Sequence, residues 1–100
     1  MKAKRQTRPD SIETTGNNTS FNWNVTESEN GFEFDTVQVA GETTPENIKY
    51  AMMLEHYTAE EIYDMETVKK KSSKTKDKAA YREYKKLKDG YAEIIREAFN

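Results

Sequence analysis

Residues 21–39 read FNWNVTESENGFEFDTVQV, and this stretch decides the fold class. Its first half alternates apolar Phe21, Trp23 and Val25 with polar residues, which is the period-2 pattern of a half-buried strand. Asn30-Gly31 follows, the strongest short signal for a tight hairpin turn, because both residues tolerate the positive φ of a type I′ turn. A second run of alternating residues comes after the turn. The stretch therefore predicts an antiparallel β-hairpin.

A loop made of Asn30 and Gly31 also fixes the predicted register of the hairpin. It places Glu27 opposite Phe34 and Val25 opposite Thr36, and directly opposed residues share a face of the sheet. The apolar residues that this register collects on one face are Phe21, Trp23, Val25, Phe32 and Phe34. After Asp35 the apolar residues are Val37 and Val39, which fall on the opposite face in this register. This change predicts either a bulge near residues 35–36 or a strand end covered on both faces.

The segment before the hairpin, residues 1–20, is basic at its start and polar throughout. Ile12 is its only branched aliphatic residue, whereas Thr, Asn, Ser and Gly are abundant. Such a composition buries too little apolar surface to offset the entropy lost on ordering. The sequence therefore predicts a flexible arm over residues 1–20, outside a single small domain formed by residues 21–100.

Two short helices are predicted after the hairpin. Thr44-Pro45-Glu46 places an N-cap hydroxyl before a proline at the first helical position, and the helix is expected to run from Pro45 to about His56. Thr58 and Glu61 have the spacing of a capping box, so a second helix is expected from there. Its inward residues are predicted to be Ile62, Met65 and Val68.

The last helix is predicted over residues 77–99, after a loop of lysine, serine and threonine. Apolar and tyrosine residues recur in steps of four and three along it, which is a heptad seam. Gly90 interrupts the helix at a cost of about 1 kcal/mol relative to alanine, and it marks either a close approach or a bend. The seam consists of Ala80, Tyr84, Leu87, Tyr91, Ile94 and Ala98.

Charge is sorted along the chain. Four cations lie within residues 1–8, thirteen carboxylates and one cation (Lys49) within residues 9–68, and ten cations with two carboxylates within residues 69–88. The net charge of −2 therefore conceals an acidic body between two basic segments. Segments of opposite charge either pack against each other inside the fold or bind separate partners.

No pattern in the sequence indicates catalysis or a bound cofactor. There is no cysteine and only one histidine, His56, which is interpreted as a helix-end residue suited to the carbonyl end of the helix dipole. The four glycines are scattered and form no phosphate loop. Glu55, Glu60, Glu61 and Asp64 cluster across the junction of the first two helices, but Glu61 has a capping role and the cluster is interpreted as solvated surface. We therefore expect neither an enzyme, a metal site, a cofactor nor a small-molecule substrate.

The longest apolar run, residues 50–54, is far too short to span a membrane, and no signal-peptide pattern is present. A cytoplasmic location is expected, with no membrane partner.

Several positions resemble small uncharacterised proteins encoded by bacteriophages and mobile elements of gut bacteria. The resemblance covers about residues 32–99 and rests on the run 35–39, Thr44-Pro45, Ile48, Ala51, Tyr57 and the helical residues 81–98. It implies a phage accessory or virion-associated protein without enzymatic activity, and it transfers no catalytic residue. A virion would then be a further possible location.

These observations predict an α+β domain, with an N-terminal β-hairpin packed against two or three α-helices and a long C-terminal helix. The leading functional interpretation is a non-catalytic protein-interaction or assembly module that binds a protein partner or itself. Its candidate interaction face comprises Phe21, Trp23, Val25, Phe34, Tyr84, Leu87, Tyr91 and Ile94.

The alternative is a nucleic-acid-binding accessory protein that uses the basic arm and residues 69–88. Tyr81 and Tyr84 are then available to stack on bases. Most of the cations are lysines, which bind phosphates as point charges and do not read base edges with a bidentate fork. The candidate phosphate contacts are Lys69, Lys70, Lys71, Lys74, Lys76, Arg82, Lys85 and Lys86.

Overall fold

A computed structural model describes residues 1–100 and contains one four-stranded antiparallel sheet followed by three α-helices. The sheet order is β1-β4-β3-β2, so the predicted hairpin forms the two central strands. The predicted α+β architecture and the long C-terminal helix are confirmed. The elements are β1 (Lys2–Arg5), β2 (Ile12–Thr15), β3 (Asn18–Ser28), β4 (Gly31–Val39), α1 (Pro45–Met53), α2 (Ala59–Thr67), a 3-10 turn (Lys69–Lys71) and α3 (Thr75–Phe99).

The register of the hairpin differs from the predicted one. Ser28 pairs with Gly31, so the loop consists of Glu29 and Asn30 instead of Asn30 and Gly31. A type I′ turn needs positive φ at both loop residues, but neither Glu29 nor Asn30 has it. The positive φ, 117°, falls on Gly31 at the start of β4. There the backbone of β1 comes close, since a Cβ on Gly31 would lie 2.4 Å from the carbonyl oxygen of Arg5.

A bulge occurs in the hairpin beside Asp35, and its extra residue lies on β3. The register shifts between Trp23 and Thr26, so that Asn24 and Val25 together oppose Phe34. Asn24 has a φ of 56°, a left-handed conformation that asparagine tolerates better than most residues. Its side-chain amide donates a hydrogen bond to Asp35 Oδ2 over 3.1 Å.

The corrected register separates the aromatic residues that were predicted to share a face. Phe21 pairs with Val37, and both lie in the core between the sheet and the helices. Phe34 precedes Val37 by three positions on a regular strand, so it lies on the opposite face of the sheet. Phe32 shares that second face, which the helices do not cover.

Residues 1–20, predicted to be a flexible arm outside the domain, supply both edge strands of the sheet. β1 pairs with β4, with Ala3 opposite Phe34, and β2 pairs with β3, with Ile12 opposite Phe21. The guanidinium groups of Arg5 and Arg8 lie over the rings of Phe34 and Phe32, at 5.2 and 5.9 Å from the ring centroids. The first part of the chain therefore covers the second face of the sheet.

Charge complementarity explains how so polar a segment forms strands. The basic residues of β1 pair with carboxylates of the acidic body, and ladder hydrogen bonds satisfy the backbone regardless of side-chain polarity. The ion pairs are Lys2–Asp35 (3.4 Å), Lys4–Glu33 (3.2 Å) and Arg5–Glu13 (2.5 Å). Neither contribution depends on apolar area, which is why an apolar-poor composition did not predict these strands.

The core consists of two clusters that meet along α3. The first lies between the sheet, α1 and α3, and its buried members are Phe21, Val37, Val39, Ile48, Met52 and Ile95. The second lies between the three helices and contains Met53, Ile62, Met65 and Tyr84. The radius of gyration, 15.5 Å, exceeds the value of about 13 Å typical of a compact domain of this length. The molecule is elongated, with principal extents of 49 × 29 × 25 Å.

The helix starts agree with the capping signals, whereas some helix ends do not. The Thr44 side chain accepts a hydrogen bond from Asn47 N, and both halves of the Thr58–Glu61 capping box are formed. However, α1 ends at Met53 instead of near His56, α3 begins two residues before Asp77, and Val68 is 59% exposed instead of buried. The heptad seam faces inward as predicted, but the buried isoleucine is Ile95, while Ile94 is half-buried beside it.

Candidate protein-interaction surface

The eight residues of the candidate interaction face divide into core and surface. Phe21, Phe34 and Tyr84 are at most 2% exposed, so they stabilise the fold and are not available to a partner. The other five are half-buried, and the structure brings them together where β3 meets α3. They are Trp23, Val25, Leu87, Tyr91 and Ile94.

Aromatic contacts hold Trp23 and Tyr91 at this junction. The indole ring of Trp23 stacks on Phe21, with 5.9 Å between centroids, and meets the ring of Tyr91 edge-on at 6.0 Å. On its other side, Tyr91 Oη shares a hydrogen bond of 2.6 Å with His56 Nε2. Burial, together with the charges of Asp35 and Glu55, raises the pKa of Tyr91. His56 therefore holds Tyr91 from the turn that follows α1.

A shallow groove runs along the edge of α3 where the half-buried seam residues reach the surface. We call it the α3 groove; its volume is about 470 Å³, and its lining residues are Glu83, Lys86, Leu87, Gly90, Tyr91 and Ile94. A second depression, of about 530 Å³, adjoins it at Ile94 and extends across Trp23 and Val25 of β3 to Glu97. The two depressions form a continuous, partly apolar surface that no other part of the chain covers.

The inner side of α3 is fixed against α2 by a polar contact. The Tyr84 hydroxyl donates a hydrogen bond of 2.6 Å to Glu66 Oε2, and Lys88 Nζ contacts the same oxygen. Burial alone would raise the pKa of Glu66, but the hydrogen bonds from Lys88 and Tyr84 outweigh it and leave this pKa lowered. Burial and the neighbouring carboxylate both raise the pKa of Tyr84. These contacts fix α3 against α2, so the groove at the edge of α3 lies on a supported helix.

The candidate phosphate contacts are mostly free of carboxylate partners. Lys69 Nζ lies 3.6 Å from Asp64, and Lys85 Nζ lies 2.9 Å from Asp89 on the next turn of α3. The remaining six have no carboxylate within 4.0 Å. They are Lys70, Lys71, Lys74, Lys76, Arg82 and Lys86. We call these six residues the basic ridge; each carries a positive charge without a carboxylate partner.

The acidic cluster near α2 has separate partners for three of its members. Glu55 Oε1 accepts a hydrogen bond of 2.6 Å from the Met1 ammonium group, Glu61 completes the capping box, and Asp64 pairs with Lys69. The capping hydrogen bonds lower the pKa of Glu61. Nowhere in the chain do three His, Cys, Asp or Glu side chains converge as metal ligands do.

Several exposed apolar residues were not singled out from the sequence. Tyr63 is 71% exposed on the outer face of α2, and Tyr50 and Leu54 of α1 are 45% and 44% exposed beside β4. Gly90, predicted to mark a close approach or a bend, lines the α3 groove.

Comparison with known proteins returned no family model, no curated protein and no solved structure that matches this chain. None of its helices combines the length and the apolar character needed to cross a bilayer.

Proposed function

We propose that this protein is a non-catalytic interaction and assembly module whose α3 groove binds a helix of another protein chain. The observation that carries the proposal is the position of the groove. Leu87, Tyr91 and Ile94 recur at heptad spacing on the outer edge of the seam, and a helix is the element that packs along such a row. The resemblance to phage proteins supports an accessory or virion-associated role.

The rigidity of the groove favours binding without rearrangement. Tyr91 is held by Trp23 and His56, and α3 is fixed on α2 through Tyr84 and Glu66. A preformed surface loses little conformational entropy on association, which favours affinity.

Site-specific photo-crosslinking tests the proposal. A photo-reactive amino acid at Glu83, an exposed residue lining the groove, is expected to give one discrete adduct when the full chain is irradiated in the cell that produces it. The matched control carries the same group at Glu46, an exposed position in the first turn of α1. Adding Leu87→Glu to the Glu83 probe should abolish the adduct. Equal, diffuse crosslinking from both positions would contradict the proposal.

A second candidate function, nucleic-acid binding, is favoured by a separate observation. The six residues of the basic ridge have no carboxylate partner, and Tyr81 lies beside them, half-buried against Tyr84 with 6.0 Å between ring centroids. Cations without an internal ion pair bind a phosphate backbone most readily, because no carboxylate competes for them. Their binding releases the counterions of the backbone.

A further inference from the structure

Gly90 is unexplained within a single copy of the chain. It lies in the middle of α3, where glycine is less favourable than alanine. Its φ is not positive, it is exposed, and a Cβ built on it meets no other atom within 4 Å. The fold of one copy therefore requires no glycine at this position. A missing side chain is useful there if another backbone comes close from outside.

The charges beside Gly90 identify the element that approaches. Lys86 and Glu97 are both exposed and neither has an ion-pair partner within its own chain. They are eleven residues apart, which is three helical turns plus about 20°, so both lie on the groove side of α3, separated by about 16.5 Å along its axis. Lys86 lies before Gly90 and Glu97 after it.

We propose that the partner is a second copy of this chain, bound through an antiparallel α3–α3 contact centred near Gly90. A two-fold axis close to residues 90–92 places Lys86 of each copy opposite Glu97 of the other. A parallel contact would instead oppose lysine to lysine and glutamate to glutamate. A two-fold contact is self-complementary, and it closes as a dimer without growing into a filament.

The apolar residues of the groove are arranged for the same contact. Leu87 and Ile94 are half-buried on either side of Gly90, so the antiparallel arrangement sets Leu87 of one copy near Ile94 of the other. Trp23, which packs on Tyr91, lies at the rim. This inference rests on the proposed function and names the partner that occupies the groove.

Charge exchange between Lys86 and Glu97 tests the proposal on the full-length protein. Light scattering after size exclusion, repeated over a concentration series at low salt, is expected to show a monomer–dimer equilibrium. Lys86→Glu and Glu97→Lys should each weaken dimerisation by about tenfold or more, because like charges then face each other twice. An equimolar mixture of the two variants should restore the dimer, because both contacts become Glu–Lys pairs. Lys78→Glu, an exposed change of equal charge off the groove face, is the matched control and should have no effect.

Gly90→Ala separates the interface from the fold. It should raise the melting temperature of the monomer by roughly 5 °C, as expected for replacing an exposed mid-helix glycine, while it weakens the dimer. A wild-type chain that is monomeric up to millimolar concentration would overturn the inference, as would a mixture no more associated than its components. If the Glu83 probe crosslinks to a different protein, the proposed function stands and the self-association fails; if it crosslinks to nothing, both fail.

Discussion

At the scale of single residues, the contact that ties the first twenty residues to the sheet is centred on Glu13. Its carboxylate accepts two hydrogen bonds from the Arg5 guanidinium, at 2.9 and 2.5 Å, and one from Asp10 N at 3.1 Å. Asn22 Nδ2 donates to the same carboxylate and to the carbonyl oxygen of Asp10, which leaves the buried Asn22 Oδ1 without a partner. The orientation of the Asn22 amide is therefore fixed, because both of its Nδ2 partners are acceptors.

This arrangement predicts a pH dependence. The pKa of Glu13 is lowered from 4.5 to about 2, mainly by the hydrogen bonds from Arg5. The Asp10 N–H, the Arg5 charge and the Asn22 amide act in the same direction, and burial opposes them. A carboxylate whose pKa is lower in the folded state stabilises the fold above its unfolded pKa and loses that contribution as pH falls. Stability should therefore decline as the pH drops from about 4.5 towards 2.

Glu13→Gln is the variant that checks this. It should be less stable than the wild type at pH 7 and should lose less stability on acidification, as measured by urea denaturation at several pH values. Glu27→Gln, which removes an exposed carboxylate without an ion-pair partner, is the control. If the stabilities of the wild type and of Glu13→Gln fell in parallel as the pH was lowered, the Arg5–Glu13 contact would not stabilise the fold.

At the scale of elements, the β3–β4 hairpin depends on the strand that flanks it. Gly31 begins β4 with positive φ, and the carbonyl group of Arg5 occupies the space where a side chain would start. The bulge at Asn24 and Val25 then brings Phe21 and Val37 back into register over the core. The turn is thus shaped by β1 as well as by the propensities of its own residues.

Gly31→Ala is expected to be destabilising by about 2–3 kcal/mol, because it combines an unfavourable φ with a clash against backbone that cannot turn aside. Gly16→Ala is the matched control, since Gly16 also has positive φ, 62°, but a Cβ there meets no atom within 4 Å. Its cost should be limited to the conformational term of about 1 kcal/mol. Urea denaturation of both variants measures the difference. Equal losses would mean that β1 does not press against Gly31.

At the scale of the whole molecule, the two basic segments have different fates. The cations of β1 are neutralised by Asp35, Glu33 and Glu13 inside the fold. Those of the basic ridge stay unpaired on the surface, beside the α3 groove. The cations at the start of the chain are therefore paired within the fold, whereas those of the basic ridge remain available to a partner.

This difference predicts which cations bind a polyanion, if the second candidate function holds. Changing Lys70, Lys74 and Arg82 to glutamate should lower the salt concentration at which the protein leaves a DNA or heparin column, because each lost phosphate contact reduces counterion release. A variant with Lys2, Lys4 and Lys85 changed to glutamate alters the net charge equally but touches only paired cations. Identical elution of the two variants, or a parent that is not retained at low salt, would exclude the ridge as a nucleic-acid contact.

Sequence alone determined the features that depend on residues close together in the chain. The alternation of residues 21–25, the capping signals at Thr44 and Thr58 and the heptad spacing of α3 act over one to four positions, so the hairpin, the helix starts and the inward face of α3 could be predicted. Tertiary structure alone decided the rest: the strands of residues 1–20, the loop at Glu29 and Asn30, and the α3 groove. In each of these, the deciding contact joins residues far apart in the chain. Arg5 approaches Gly31, the cations of β1 pair with the carboxylates of β4, and Trp23 packs on Tyr91. Composition and periodicity describe only residues that are close together in the chain, so they do not predict these contacts.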